Sequence, residues 1–575
     1  MKNPQRTARH RGRGPVRLGS LLLALIAAAG LTSGTAFGAT TAQHPAAPDP
    51  MSAVAAMQPS WNLGNTLDAI PDETSWGNPL VTRQLFDTLR ANGFHSVRIP
   101  VTWSGHQLAT APYTIDPTFL RRVRQVVDWA LSDGLYVDIN VHHDSWQWIA
   151  DMATDHDNVL ARFDAIWRQV ATAFRDEPAK LLFESINEPR FNSGTDAQKA
   201  QFLNELNTSF DTIVRGSGGR NATRLLVLPT LGSTPSQALM NDLATTMSSL
   251  HDRNLVATVH YYSFWPFSVN IAGFTRFDAT VQQDLTDTFA LMHDTFVAKG
   301  IPVFLGEYGL LGFDTGPGVV ERGETLKYFE ALGHQARVSG VTTALWDNGF
   351  FLDRTQLGWR DPGLFAQIRS SWTTRSGTAS ADTVFVPKSA PITAATLTLN
   401  LNGTTFRGLR QDHRWLVPGR DYTLSGSQLT LTARALTRLT GARAYGVDAT
   451  LQARFSRGVP WPIDVITYDT PAVSGASGTT TSFAVPTRFQ GDRLATMEAV
   501  YADGTNAGPQ NWTPFQQFGA TFSPDYTNDV ITLTPGFLDT LTDSTPATLT
   551  FHFWSGATVR YQVTRSGTSV AGTTS

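Results

Sequence analysis

Residues 181–190 read LLFESINEPR. An apolar run of β-type residues stops abruptly at Asn187, Glu188 and Pro189, which predicts a carboxylate on the last turn of a buried strand. Pro189 cannot continue a central strand, and it biases Glu188 towards extended backbone, so the acid is expected at the rim of a sheet. Alone, the tripeptide fits a strand terminus with a solvated Glu equally well. A second acid changes the weighting: Glu307, in IPVFLGEYG at 301–309, again follows directly on an apolar β-like run.

Working outward, eight such runs alternate with amphipathic stretches between residues 51 and 372. They are SWNLGN, FHSVRIPV, LYVDINVHH, LLFESINEP, RLLVLPTLG, LVATVHYY, PVFLGEYG and TTALWDNG. The stretches between them, such as FLRRVRQVVDWALSDG, hold apolar residues at helical spacing and end near Gly or Pro. Eight β/α units predict a (β/α)8 TIM barrel, with its active site at the C-terminal ends of the strands. A doubly wound open sheet is the alternative. Arg98, His142, Asn187, Glu188, His260, Tyr262, Glu307 and Trp346 fall at or just past the C-terminal ends of different runs. An open sheet would not converge them so evenly.

Length and composition set the outer bounds. At 575 residues and 41% apolar content the chain should form two or three domains with sizeable cores. With 45 basic and 48 acidic residues it has a formal net charge of -3, which argues against a nucleic-acid partner tracked through its phosphates. The 33 Phe, 15 Trp and 12 Tyr offer flat faces that could stack on sugar rings, although most should fill cores. There is no Cys, hence no disulfide, thiolate metal site or Cys nucleophile.

Residues 1–38 read as a signal peptide. Lys2, Arg6, Arg9, Arg11, Arg13 and Arg17 precede the apolar LLLALIAAAG, and Ala36-Phe37-Gly38 offers a small-residue cleavage site. The apolar run is short for a membrane span, so a secreted, extracellular protein with no membrane association after cleavage is expected. Residues 39–50, rich in Ala, Thr and Pro, read as a disordered leader.

Taken in order, WNLGNTLDA, VRIPVTW, NVHHD, INEP, VHYYSFWPF, GEYG and LWDNG resemble glycoside hydrolase family 5, a clan A family of retaining (β/α)8 enzymes. ETSWGNP at 73–79 is similar to text in the subfamily holding endoglucanases and xyloglucanases. The resemblance implies Glu188 as general acid/base and Glu307 as nucleophile. Retaining chemistry asks for the same pair: one carboxylate attacks the anomeric carbon, while the other protonates the leaving oxygen and later deprotonates water. Glu188 would need a raised pKa, expected from partial burial and the charge of Glu307. Arg98 and Tyr262 are expected to orient Glu307, and Asn187 to bond the sugar 2-hydroxyl. The resemblance further implies His142 and His260 as active-site histidines, with His143 beside them. It also makes Trp346 a stacking platform, and Asn65 and Asp68 substrate contacts. Trp76, Trp103, Trp146, Trp148, Trp265 and Trp359 are candidates for outer subsites. With no HExxH helix, no metal is expected, and the mechanism needs no cofactor.

After Trp372 the composition changes. Residues 373–383, TTRSGTASADT, read as a linker, and short alternating runs follow. Asp421-Tyr422-Thr423, LTLT and FSRG recur as Asp525-Tyr526-Thr527, ITLT and FWSG, which predicts two β-sandwich modules at 384–470 and 482–568 joined by a linker at 471–481. The first resembles the immunoglobulin-like carbohydrate-binding X2 modules and the second carbohydrate-binding module family 46. That likeness implies a last module folded over the cleft, with Trp512 as first candidate for an aromatic facing the substrate and Trp554 as second. The middle module, with Trp415 and Trp461, reads as a rigid spacer. The whole reads as a monomeric, secreted, retaining endo-β-1,4-glucanase whose partner is a β-glucan or xyloglucan. Mannan or xylan cleavage on the same barrel, or a non-catalytic glycan-binding scaffold, are the alternatives.

Overall fold

The eight runs close into a parallel barrel in chain order. The computed structural model describes residues 49–574. The strands are β1 Ser60–Asn62, β2 Ser96–Ile99, β3 Tyr136–Asn140, β4 Leu181–Glu184, β5 Leu226–Pro229, β6 Leu255–Tyr261, β7 Val303–Tyr308 and β8 Thr342–Leu345. They are buried along nearly their whole length, as expected of strands sandwiched between a barrel interior and an outer ring of helices. The helices follow the amphipathic stretches. Pro117–Ser132, for example, starts on Pro117 behind an Asp116 cap and buries Phe119, Val123, Val126, Val127 and Ala130.

The barrel floor is closed by the helix Pro50–Ala55, capped by Asp49. Ala53, Val54 and Met57 pack against Leu182, Val227, Val256, Phe304 and Ala344 from the strands. Asp49 and Pro50, read as the end of the leader, instead cap and start this helix, because the residues that follow have an apolar socket to fill. The expected signal peptide, 1–38, and leader residues 39–48 lie outside the described residues. Among the described residues no helix is long and apolar enough to cross a membrane.

Both modules are pairs of antiparallel-rich sheets, a five-stranded and a four-stranded one in each. Neither predicted linker is free chain. Thr378–Ala379 pairs with Ala395–Asn400, Arg375 forms a two-pronged ion pair with Glu330 of the barrel helix Arg322–Ser339, and Lys327 donates to the Ser380 carbonyl. In the second segment Ala472–Val473 and Ala476–Thr479 are edge strands. The terminal module also runs past 568, since Ser569–Thr574 completes its larger sheet. Small polar residues make poor strands alone, but here a neighbouring ladder supplies the partners.

The repeat is real but its register differs from the motif match. Gly419 and Gly519 both donate to the residue three further on, Tyr422 and Phe522, and the strands Tyr422–Ser425 and Phe522–Asp525 follow. Tyr422 therefore corresponds to Phe522, and Asp525-Tyr526-Thr527, which starts on the last residue of that strand and runs into the turn, is a chance likeness.

Candidate active site

β2, β4 and β7 each carry a charged side chain, Arg98, Glu184 and Glu307, at or one residue before the strand's C-terminal end. Arg98 is fully buried and has given out every N–H it owns. Nε and Nη2 hold Glu184 at 2.6 and 2.9 Å, Nη1 reaches Glu307 Oε1 at 2.7 Å and Asn62 Oδ1 at 3.0 Å, and Nη2 reaches Asn187 Oδ1 at 2.7 Å. The Tyr262 hydroxyl donates to the other Glu307 oxygen at 2.6 Å. Burial and the neighbouring Glu307 charge push the Tyr262 phenol well up, so it stays a neutral donor. The sequence thus put Arg98, Tyr262 and Glu307 rightly together. It overlooked Glu184 and Asn62, whose polar side chains end strands that read as apolar.

Glu188 stands on the opposite side, 27% exposed. His260 Nδ1 contacts its Oε1 at 2.9 Å, and Arg190 donates to its Oε2 at 2.9 Å. His260 Nδ1 is also 3.6 Å from Glu307 Oε2, and the three residues bring one ligand-type atom each within 4.8 Å of one another. Two expectations fail here. The backbone at Glu188 is left-handed, φ 38°, not extended, because Pro189 follows a sharp corner out of the barrel. Its carboxyl, too, lies below the usual range instead of above it. Burial would raise it, but the His260 hydrogen bond and charge, then Arg190 and Arg98, outweigh that.

The rest of the mouth surrounds this pair. Asn187, buried, accepts from Arg98 Nη2 at its Oδ1, which leaves its amide N–H2 uncommitted to Arg98. His142 accepts from the Asn140 amide at Nδ1 and lies parallel to Trp346, 7° between rings 6.0 Å apart. Burial first, then the charges of His143, Arg98 and His260, hold His142 well below its usual pKa, so it is neutral. His143 accepts the Trp146 indole N–H at 2.9 Å and faces Asp68 at 3.4 Å, while Asp68 fixes the loop by accepting the backbone N–H of Asn65 and Thr66. Asp68, His142 and His143 form a second close group, but both Nδ1 atoms are already taken by the Asn140 and Trp146 donors.

Trp346 is seated by two residues the sequence did not single out. A Cβ on Gly64 would come within 2.8 Å of its ring, so only glycine fits beneath it. Asp347, fully buried, ties the loop by accepting from Trp61 Nε1 and from the N–H of Gly349, Phe351 and Leu352. Of the other tryptophans, Trp76 and Trp146 are exposed against His143, and Trp265 is exposed on the loop after β6. Trp103 is buried, Trp148 stacks under Arg162, and Trp359 lies flat on Phe365 at 3.7 Å, all as packing.

The terminal module closes on this rim. The buried Asn270 amide donates to Val319 O on the loop after β7 and to Ala495 O in the module, and its own carbonyl accepts from Phe518 N–H. Phe515 rests on Gly273. Trp512, 56% exposed, lies 6.4 Å from Trp265. Trp554 does not share that position: Arg276 sits over its ring at 4.8 Å, and it lines a cavity of about 980 Å3 where barrel and both modules meet. In the middle module Trp461 is core and Trp415 is exposed.

Comparison with known proteins covers all three parts. Residues 63–351 match the model for cellulase (glycosyl hydrolase family 5), 378–465 that for carbohydrate-binding domain X2, and 469–573 that for the carbohydrate-binding domain of family 46. The chain is 53% identical to endoglucanase B of Paenibacillus lautus over 91% of its own length and 93% of that protein. Among solved structures, the full-length tri-modular endo-β-1,4-glucanase B of Bacillus halodurans superposes with a TM-score of 0.90 at 47% identity, covering 92% of this chain and 99% of that one. A tri-modular family 5, subfamily 4 endo-β-1,4-glucanase of Bacillus licheniformis, solved with cellotetraose, gives 0.77 at 32%, covering 89% and 99%.

Proposed function

Because the chain belongs to glycosyl hydrolase family 5, we propose that it cuts internal β-1,4 bonds of glucan chains by a retaining double displacement. Glu307 is the nucleophile and Glu188 the acid/base. The observation that carries this reading is the closeness of the two carboxyls around His260 Nδ1, one oxygen of each within 4.8 Å. Retaining pairs stand about 5–5.5 Å apart, whereas inverting pairs leave room for a water at roughly 6.5–9.5 Å.

Arg98 and Tyr262 hold Glu307 aimed through both of its oxygens, so its attack needs no reorganisation. Asn187 presents its amide to the sugar hydroxyl beside the reacting carbon, and Trp346 supports the ring from below. Glu188 has to be protonated before it can give a proton to the leaving oxygen. Arg190, 68% exposed, is a screened and displaceable partner. A glucan chain lying over Glu188 removes water and that partner together, which raises the carboxyl. Once Glu307 is glycosylated its charge is gone, and Glu188 takes a proton from the incoming water.

The outer wall made by Trp265 and Trp512 suits a long, branched chain, which supports soluble β-glucans and xyloglucan as substrates. The basic and apolar run in residues 1–38 supports export. Early-time NMR of products from carboxymethylcellulose and xyloglucan tests the mechanism: β-anomers are expected first, and α-anomers would refute retention. Faster release from mannan than from glucans would overturn the substrate.

A further inference from the structure

Asp138 is a fully buried carboxyl beside the site to which the double displacement gives no task. It lies in β3, paired in register with Arg98 of β2, and two residues before Asn140, which pairs with Glu184 of β4. Neither of its oxygens meets a donor. Counting donors explains why. An arginine has five N–H groups, and Arg98 directs them to Glu184, Glu307, Asn62 and Asn187 in five bonds. The Asn140 amide is turned to His142 and Glu184. The charged groups acting on Asp138 are Glu184, two residues beyond its register partner Leu182 on β4 and able as a carboxylate only to accept, and Arg98, whose donors are all committed.

Two acceptor-only groups side by side in a dry interior repel unless a proton lies between them. Both oxygens of Glu184 are engaged by the two-pronged bond from Arg98. We propose that Asp138 is a positioning residue that stays protonated while the enzyme works and donates its hydroxyl hydrogen bond to Glu184. Burial and the Glu184 charge push its carboxyl up against the pull of Arg98, in keeping with that role.

This deepens the reading of Glu307 as nucleophile and rests on it. With Asp138 neutral, Glu184 balances Arg98 and Glu307 is left as the single uncompensated negative charge of the cluster. An ionised Asp138 would add a rival anion beside Arg98 and draw the guanidinium away from Glu307.

The test uses the full chain with Asp138→Asn and Asp138→Val. Infrared difference spectra at neutral pH should show the C=O stretch of a protonated carboxyl in the parent protein, lost in D138N and kept in Glu307→Gln. Asn retains shape and an N–H donor for Glu184, so kcat should fall by no more than about threefold, whereas Val leaves Glu184 unpaired and should lower kcat about 30-fold with KM little changed. Absence of the protonated band, or equal damage from Asn and Val, overturns the proposal. Because the band is read without turnover, it stands apart from any failure of Glu307→Gln to abolish activity, which would count against the nucleophile assignment alone.

Discussion

The floor of the cleft and its outer wall are built on opposite terms. At the floor, Arg98 has no N–H uncommitted, Glu307 is held from both oxygens, and Arg98, Glu184 and Glu307 are each exposed by 5% or less. At the wall, Trp265 and Trp512 are each about half open and lie near one another without touching as a packed pair. A reaction needs charges that do not reorganise while bonds change. A polymer of variable decoration is better met by flat faces that tolerate displacement. On the proposed reading the floor sets rate and the wall sets substrate range.

The largest effect should come from the floor. Glu307→Gln should lower kcat by about 10^4-fold or more on polymer and on small aryl glucosides alike, because no bond can form to the sugar. Glu188→Gln should match it on polymer, yet cost far less in the first step with an activated aryl leaving group, which departs without an acid. Pre-steady-state release of the aryl group separates the two, and identical behaviour would erase the distinction between the carboxyls.

A middling effect belongs to the wall. Trp512→Ala should reduce kcat/KM on xyloglucan about tenfold, the cost of one lost stacking face, and reduce it less on a small aryl glucoside. If both substrates suffered equally, the terminal module would be a structural support and the wall would carry no specificity.

The smallest effect lies between them, at Arg190. Removing its charge with Arg190→Gln disfavours the Glu188 carboxylate, so the acid keeps its proton to higher pH. The alkaline limb of the kcat/KM profile should move up while the acid limb stays in place. A downward shift would mean that another group sets that limb.

How much of this was legible follows from where polar residues sit in their strands. The eight strands could be read because each is a short, wholly buried run, and Glu188 and Glu307 because they follow such runs directly. Glu184 and Asp138 were missed for the converse reason: embedded in apolar text, they were absorbed into it, although Asp138, Asn140 and Glu184 occupy the inward-facing positions of paired strands. The linkers were misread because Thr378–Ala379 and Ala472–Val473 owe their strand state to neighbours far along the chain. The Glu188 charge state was misjudged because local text reveals neither His260 Nδ1 nor the reach of Arg190.

The left-handed backbone at Glu188 has a consequence for how such an enzyme can change. A non-glycine residue held there costs on the order of 1 kcal/mol or more. Ala272, on the rim loop beside Gly273, is held in the same region at φ 56°. At Glu188 the strain cannot be relieved by glycine without losing the proposed proton donor. At Ala272 no polar group depends on it. Heat tolerance and turnover are therefore written into different residues of one rim, and a lineage can improve the first at positions like Ala272 while leaving the second untouched.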